Sequence, residues 1–229
     1  MKKMVENGIT SFKFFMAYNG VLRLDDVSMY KAFETARELG AVCIVHAENG
    51  DIVQLNTERL LKMGITGPEG HYLSRKESVE AEAVHRVITI AENTDCPLYI
   101  VHLMSRESTQ EVMRARNRGL MVYGETLAST IGTDGTKLWD EDWDVASRYV
   151  MSPCLSPDPT TKVQIMKYLQ SGVIDTVGTD NCTFCTEQKR LGIDGFNKIP
   201  NGVNGLEDRL SVVWTKGVKQ GLLSENQFV

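Results

Sequence analysis

Apolar residues in this chain fall in short runs, each followed by a stretch with helical periodicity. The first run is Ser11-Phe12-Lys13-Phe14-Phe15-Met16-Ala17-Tyr18. Asp25 and Asp26 then open a periodic stretch to Leu39, and Gly40 closes it as a C′ residue. Ala41-Val42-Cys43-Ile44-Val45-His46 is the second run, followed by a loop with Gly64, Gly67, Pro68 and Gly70. The spacing next predicts a helix from about Ser78 to Glu92, with Glu80, Glu82 and Arg86 outward. Leu98-Tyr99-Ile100-Val101-His102 is the third run, and Ser105 caps a helix to about Asn117. Leu120-Met121-Val122-Tyr123-Gly124 is the fourth run. Val173-Ile174-Asp175-Thr176-Val177-Gly178 is the fifth, preceded by a helix near Thr161–Gln170.

Strands alternating with helices build a mostly parallel sheet covered by helices, either doubly wound or closed as a (β/α)8 barrel. No Gly-x-Gly-x-x-Gly follows any strand, which weakens the dinucleotide-binding version; Gly132-x-x-Gly135 is too short and too polar to replace it. Glu125 to Pro159 reads as the longest irregular stretch, with Trp139, Trp143, the acids Asp140, Glu141, Asp142 and Asp144, and three prolines. It is either a surface excursion or a loop over a pocket or subunit contact.

Composition narrows the class. The 229 residues are 42% hydrophobic and 24% charged, which excludes a disordered or collagen-like chain. No apolar stretch approaches the roughly 20 residues of a membrane span. A formal charge of −5 argues against nucleic acid or anionic membrane as partners. Five cysteines without an apolar leader read as reduced thiols in a cytoplasmic setting.

The chemistry should lie where the strands end. Lys13 sits inside the first run, His46 ends the second, His102 ends the third, and Asp180 follows the fifth. In a parallel barrel those ends converge on one mouth. The intervals match one βα unit, one unit plus the glycine-rich loop, and two units with the long excursion. One histidine ending a strand is ordinarily a hydrogen-bonded core residue. Two, with a carboxylate, suit zinc. His71, in a loop, and His85, in a charged helix, read as structural. Asp180 alone could be a turn or cap residue. Lys13, flanked by Phe12, Phe14, Phe15 and Met16, is expected to be buried, which would favour a neutral amine or an ion pair. A neutral amine can take up CO2, and the carbamate can bridge two cations. Cys182-x-x-Cys185 has no second pair to complete four ligands, and both thiols are expected to be buried.

Several longer motifs resemble dihydropyrimidinase and D-hydantoinase, of the amidohydrolase superfamily. They are Gly8-Ile9-Thr10-Ser11-Phe12-Lys13-Phe14-Phe15-Met16-Ala17-Tyr18, Val45-His46-Ala47-Glu48-Asn49-Gly50-Asp51, Gly67-Pro68-Glu69-Gly70-His71 and Val101-His102-Leu103-Met104-Ser105. Pro200-Asn201-Gly202-Val203-Asn204-Gly205-Leu206-Glu207-Asp208-Arg209 completes the set. The resemblance implies an α/β fold, a partial (β/α)8 TIM-like barrel comprising about strands 4 to 8, with residues 1–229 as one partial barrel domain. It implies two zinc ions bridged by carboxylated Lys13. His46 and His102 would bind one zinc, and Asp180 would bind the other and shuttle a proton. Tyr18 would stabilise the oxyanion, and Ser152 and Asn201 would position a cyclic imide such as 5,6-dihydrouracil or a hydantoin. A homotetramer is implied as well.

Three departures accompany it. The family's His-x-His pair is absent, since the only histidines are His46, His71, His85 and His102. The chain is therefore expected to be a piece of a longer protein, inactive alone. Asn181 stands where the family commonly has His, and Ser152-Pro153-Cys154-Leu155-Ser156 departs from Ser-Pro-Pro-Leu-Arg. The alternatives are a noncatalytic dihydropyrimidinase-related scaffold and a sister cyclic amidase such as allantoinase. The presence of Lys13, His46, His102 and Asp180 together favours the enzyme.

Overall fold

The computed structural model describes residues 1–229. Its frame is a five-stranded sheet, β1 (Ser11–Phe15), β2 (Val42–His46), β3 (Leu98–Ile100), β4 (Val122–Leu127) and β5 (Thr176–Gly178), in spatial order β1-β2-β3-β4-β5. All four pairings are parallel. A parallel sheet in strictly sequential order, with a helical crossover between each pair, is an arc of a (β/α) barrel.

The period of two along the strands sorts the faces. Phe12 and Phe14, Cys43 and Val45, Leu98 and Ile100, and Val122 turn to the helices and form the main core with Met29, Phe33, Val84, Val87 and Ile88. Lys13, Tyr99 and Glu125 therefore stand on the opposite face, which the helices leave uncovered. The expectation that Lys13 is buried is corrected here. It is exposed, because it projects from the open face of edge strand β1.

Local chemistry fixes the helices. Asp25 caps Asp26–Glu38 by accepting from the Ser28 N–H at 2.7 Å, and Ser105 caps Arg106–Asn117 through the Ser108 N–H at 3.1 Å. Asp95 ends the Glu77–Thr94 helix in a left-handed conformation. That helix corrects a second expectation. Glu80 is buried, and its carboxylate accepts from the Met104 N–H at 2.9 Å. The helix packs against Arg106–Asn117, and Glu80 satisfies the backbone where the chain leaves β3.

The Gly50–Lys62 helix falls where the pattern gave a loop. Only Gly50 and Leu60 of it are buried, Val53 and Leu61 are half-buried, and Leu55 is 65% exposed. Glu125–Pro159 is also more ordered than its composition implied. Strand β4 runs into it, followed by short helical segments at Ala128–Gly132, Gly135–Trp139 and Trp143–Ser147. Of its acids, Asp140 pairs with Lys137, Asp144 with the distant Arg190, and Asp142 caps Trp143–Ser147. No helix is long and apolar enough to cross a membrane.

Candidate functional site

Beyond the carboxyl ends of the strands lies a cleft of about 220 Å³. Lys13, Tyr18, His46, His102, Ser152, Asp180 and Asn201 all line it, together with Phe15, Met151, Cys182 and Gly202.

His46 is the last residue of β2 and is 2% exposed. Phe15 stacks on its ring at a centroid distance of 5.6 Å, and Tyr18 covers it at 5.3 Å. Its backbone carbonyl accepts from the Met16 N–H, and the Met16 carbonyl accepts from the Gly50 N–H. Gly50 admits no side chain, because a Cβ there would meet Asn19 Oδ1 at 2.3 Å and Ala17 Cα at 3.0 Å. The turn carrying Tyr18 is thereby pressed against the end of β2.

His102 follows β3 with φ of 43°, a left-handed value uncommon outside glycine. The bonds that hold it there come from β4 and from Glu80. The Glu125 carboxylate accepts from the His102 N–H at 3.3 Å, the Glu125 carbonyl from the Leu103 N–H, and Thr126 Oγ1 donates to the Leu103 carbonyl at 2.7 Å. Left-handed backbone recurs at Tyr18 and Asp180. Of the four non-glycine residues with positive φ, three line the cleft, and the fourth, Asp95, is a helix cap. Such strain persists only where surrounding bonds over-determine it, and it concentrates at functional sites.

The two imidazoles touch, with His46 Nδ1 2.8 Å from His102 Nε2. The other nitrogen of His46, Nε2, is 2.8 Å from Glu48 Oε2. The other nitrogen of His102, Nδ1, is buried without a partner. Desolvation first, then His46 and Lys13, holds His102 well below the ordinary histidine range, so the ring is neutral; its one proton lies on Nε2 toward His46 in this contact and would move to Nδ1 if Nε2 took a metal. This donor set fits a metal. The carboxylate on Nε2 of His46 directs Nδ1 inward as a lone pair, the arrangement usual behind metal-ligating histidines. The fit is incomplete in one respect. Asp180 does not close with the histidines into a three-ligand cluster, and both Asp180 and Lys13 are exposed.

Behind the histidines, Arg75 connects two walls. Its guanidinium is 3.5 Å from Glu48 Oε2 and donates to Ser152 Oγ at 2.5 Å. Burial alone would raise the Glu48 carboxyl, but Arg75 and then His46 outweigh it and hold Glu48 below the usual carboxylate range. Tyr18 is 36% exposed as a residue. Desolvation of its hydroxyl, with Glu48 adding, still pushes the phenol upward, so it remains a donor.

Glu48, Arg75 and Glu125 escaped the sequence reading. Only Glu48 carried a signal, a carboxylate two residues beyond a strand-ending histidine. His71 is a buried structural residue, its Nε2 2.8 Å from the Met151 carbonyl, and His85 pairs with Glu111 on the surface. Asn181 accepts from the Gly205 N–H at 3.2 Å and so ties the segment after β5 to the loop beyond Asn201. Cys182 and Cys185 are exposed, contrary to expectation, because that segment lies on the surface at the cleft mouth.

Fold and cleft together define part of a (β/α) barrel with a histidine-centred site at the carboxyl edge of its strands. No family model matches the chain. It is 51% identical over 230 residues to the dihydropyrimidinase of Rattus norvegicus, covering 100% of this chain and 44% of that protein. It is 51% identical over 224 residues to the dihydropyrimidinase of Dictyostelium discoideum, covering 98% of this chain and 44% of that one. The D-hydantoinase (dihydropyrimidinase) of Thermus sp. superposes with a TM-score of 0.96 at 39% identity, over 99% of this chain and 49% of that structure. The chain is a homologue of the dihydropyrimidinases and D-hydantoinases along its whole length, and it spans less than half the length of these relatives.

Proposed function

We propose that the protein containing this chain is a zinc-dependent cyclic amidase that opens 5,6-dihydrouracil or a hydantoin to the N-carbamoyl amino acid, in pyrimidine degradation. The observation that carries this is the single cleft shared by Lys13, His46, His102, Asp180, Tyr18, Ser152 and Asn201. The names and high identity of the relatives support it.

His46 Nδ1 and His102 Nε2 would hold one zinc. Lys13, carboxylated on Nζ, would bridge it to a second held by Asp180. Zinc there supplies a Lewis acid for the ring carbonyl and a source of hydroxide at neutral pH. Asp180 takes the proton of the attacking water and returns it to the leaving ring nitrogen as the C–N bond breaks. Tyr18 donates its phenolic hydrogen to the oxygen on which charge develops. Ser152, held by Arg75, and Asn201 orient the ring. The resemblance extends the proposal to a cytoplasmic homotetramer.

The test is ring opening by the zinc-loaded full-length protein, with dihydrouracil, hydantoin, allantoin and dihydroorotate compared. Highest kcat/KM on dihydrouracil or hydantoin is expected. Preference for allantoin or dihydroorotate would assign a sister amidase. Zinc bound without turnover on any of the four would assign the noncatalytic scaffold.

A further inference from the structure

Lys189 ends a short helix beyond the cleft, outside every role discussed so far, and it is 2% exposed. None of its hydrogen-bond partners is a carboxylate. Its ammonium donates to three backbone carbonyls, Val150 at 2.9 Å, Pro200 at 2.6 Å and Gly202 at 2.8 Å. An ammonium has three donors and no acceptor, so these bonds saturate it. The Phe184 ring lies 5.5 Å from Nζ and closes off another side. Burial pulls the group down to about 8.

The identity of the three carbonyls is informative. Pro200 and Gly202 flank Asn201 on both sides, and Val150 precedes Ser152 by two residues. The same loops also meet directly, the Gly202 N–H donating to the Val150 carbonyl at 3.0 Å and the Cys182 N–H to the Val203 carbonyl at 3.0 Å. Gly202 has φ of 149°, and a Cβ there would lie 2.4 Å from the Cys182 carbonyl oxygen. Two segments of cleft wall thus converge on one cation, and a third, at Cys182, is tied to the second through Val203. An apolar side chain would fill the space at lower desolvation cost, but it could not gather three carbonyls.

We propose that Lys189 is a positioning residue for substrate binding, whose ammonium clasps the loops bearing Ser152 and Asn201 and fixes their backbone at the cleft. This rests on the substrate-positioning roles assigned to those two residues above. The clasp acts on the ring and leaves the histidines alone, since Lys189 bonds to none of the residues proposed to hold metal.

The test uses Lys189→Met and Lys189→Gln in the zinc-loaded full-length protein. For Lys189→Met, KM for dihydrouracil should rise about tenfold, roughly the worth of one hydrogen bond to a charged group. kcat should stay close to wild type, and zinc content should not change. Lys189→Gln keeps two N–H donors and should recover part of the KM. Amide exchange should accelerate at residues 150–152 and 201–203 but not in β1 to β3. Unchanged KM with unchanged exchange in the two loops overturns the clasp. Loss of KM, kcat and zinc together, with exchange raised throughout, shows a purely structural lysine and also overturns it. Should Lys189→Met fail to fold, Lys189→Gln carries the same comparison. If the wild-type protein opens no ring, the functional reading fails and the substrate role falls with it; exchange in the two loops then still decides whether Lys189 holds them.

Discussion

His46 and Glu48, two residues apart on the chain, share a buried contact of 2.8 Å between Nε2 and Oε2. The contact sets the tautomer. With Nε2–H donated to the carboxylate, Nδ1 presents its lone pair toward His102. Glu48→Gln leaves shape and volume nearly unchanged but gives up the charge that fixes that tautomer. If the cleft holds zinc as proposed, its affinity should fall by about 10- to 100-fold while the fold persists. A competitive chelator titration measures it, and an unchanged affinity would remove Glu48 from the site.

Arg75 lies between Glu48 and Ser152, so its loss acts on both walls of the cleft. Arg75→Met strands a buried carboxylate without its nearest cation. Removing one partner of a buried pair costs about 3–5 kcal/mol. Because the pair here is 3.5 Å apart and His46 still faces Glu48, the lower end applies. Chemical denaturation should show that loss. Glu48→Gln combined with Arg75→Met should lose less than the sum of the single changes, since the first removes the charge that the second strands.

What the sequence made legible follows from how local each signal is. All five strands were readable, because buried parallel strands are apolar runs whatever their partners. That His46, His102 and Asp180 would line one cleft was readable because strand ends in a barrel share a mouth. The state of Lys13 was not. Its neighbours Phe12 and Phe14 suggested burial, but they face the helices, and the alternation of side chains puts Lys13 on the opposite, open face. The Gly50–Lys62 helix was hidden because only Gly50 and Leu60 of it are buried, so the core imposes little pattern on its sequence. Arg75 and Lys189 were hidden because their partners lie far along the chain, and no periodicity records such contacts.

Glu80 provides a test of the fold apart from the site. Desolvation raises its carboxyl from 4.5 to about 7, against the bonds from Ser105, Met104 and Ser108. Between those two values the folded state holds a proton that the unfolded state has lost. Stability therefore falls as pH rises from about 4.5 to about 7 and is level above, by about 3 kcal/mol in all. Glu80→Gln keeps an oxygen for the Met104 N–H and has no charge to bury. Its stability should match wild type near pH 4.5 and exceed it at pH 8. Parallel pH profiles for the two proteins would contradict the assignment.

Lys13 distinguishes a bridging ligand from a surface charge. On the open face its ammonium lies 5.2 Å from the Phe15 ring and needs no partner. As a surface lysine, its replacement by alanine would change stability by less than about 0.5 kcal/mol and leave metal binding alone. As a carbamate bridge, Lys13→Ala in the full-length protein should strip zinc and activity together, and short carboxylic acids should restore part of both. Retained zinc with normal turnover would return Lys13 to the surface.

Asp180 combines a proposed chemical role with a strained backbone, φ of 46°, so the replacement must keep the strain constant. Alanine would not, because it is penalised at left-handed φ. Asparagine tolerates that region nearly as well as aspartate and differs mainly in charge and in its capacity to accept a proton. Asp180→Asn therefore isolates the chemistry. If Asp180 moves the proton from water to the leaving nitrogen, kcat should fall by about 10²- to 10⁴-fold while the thermal midpoint stays near wild type. A fall of less than tenfold would make Asp180 a turn residue that happens to line the cleft, and the proton carrier would have to be sought elsewhere in the wall.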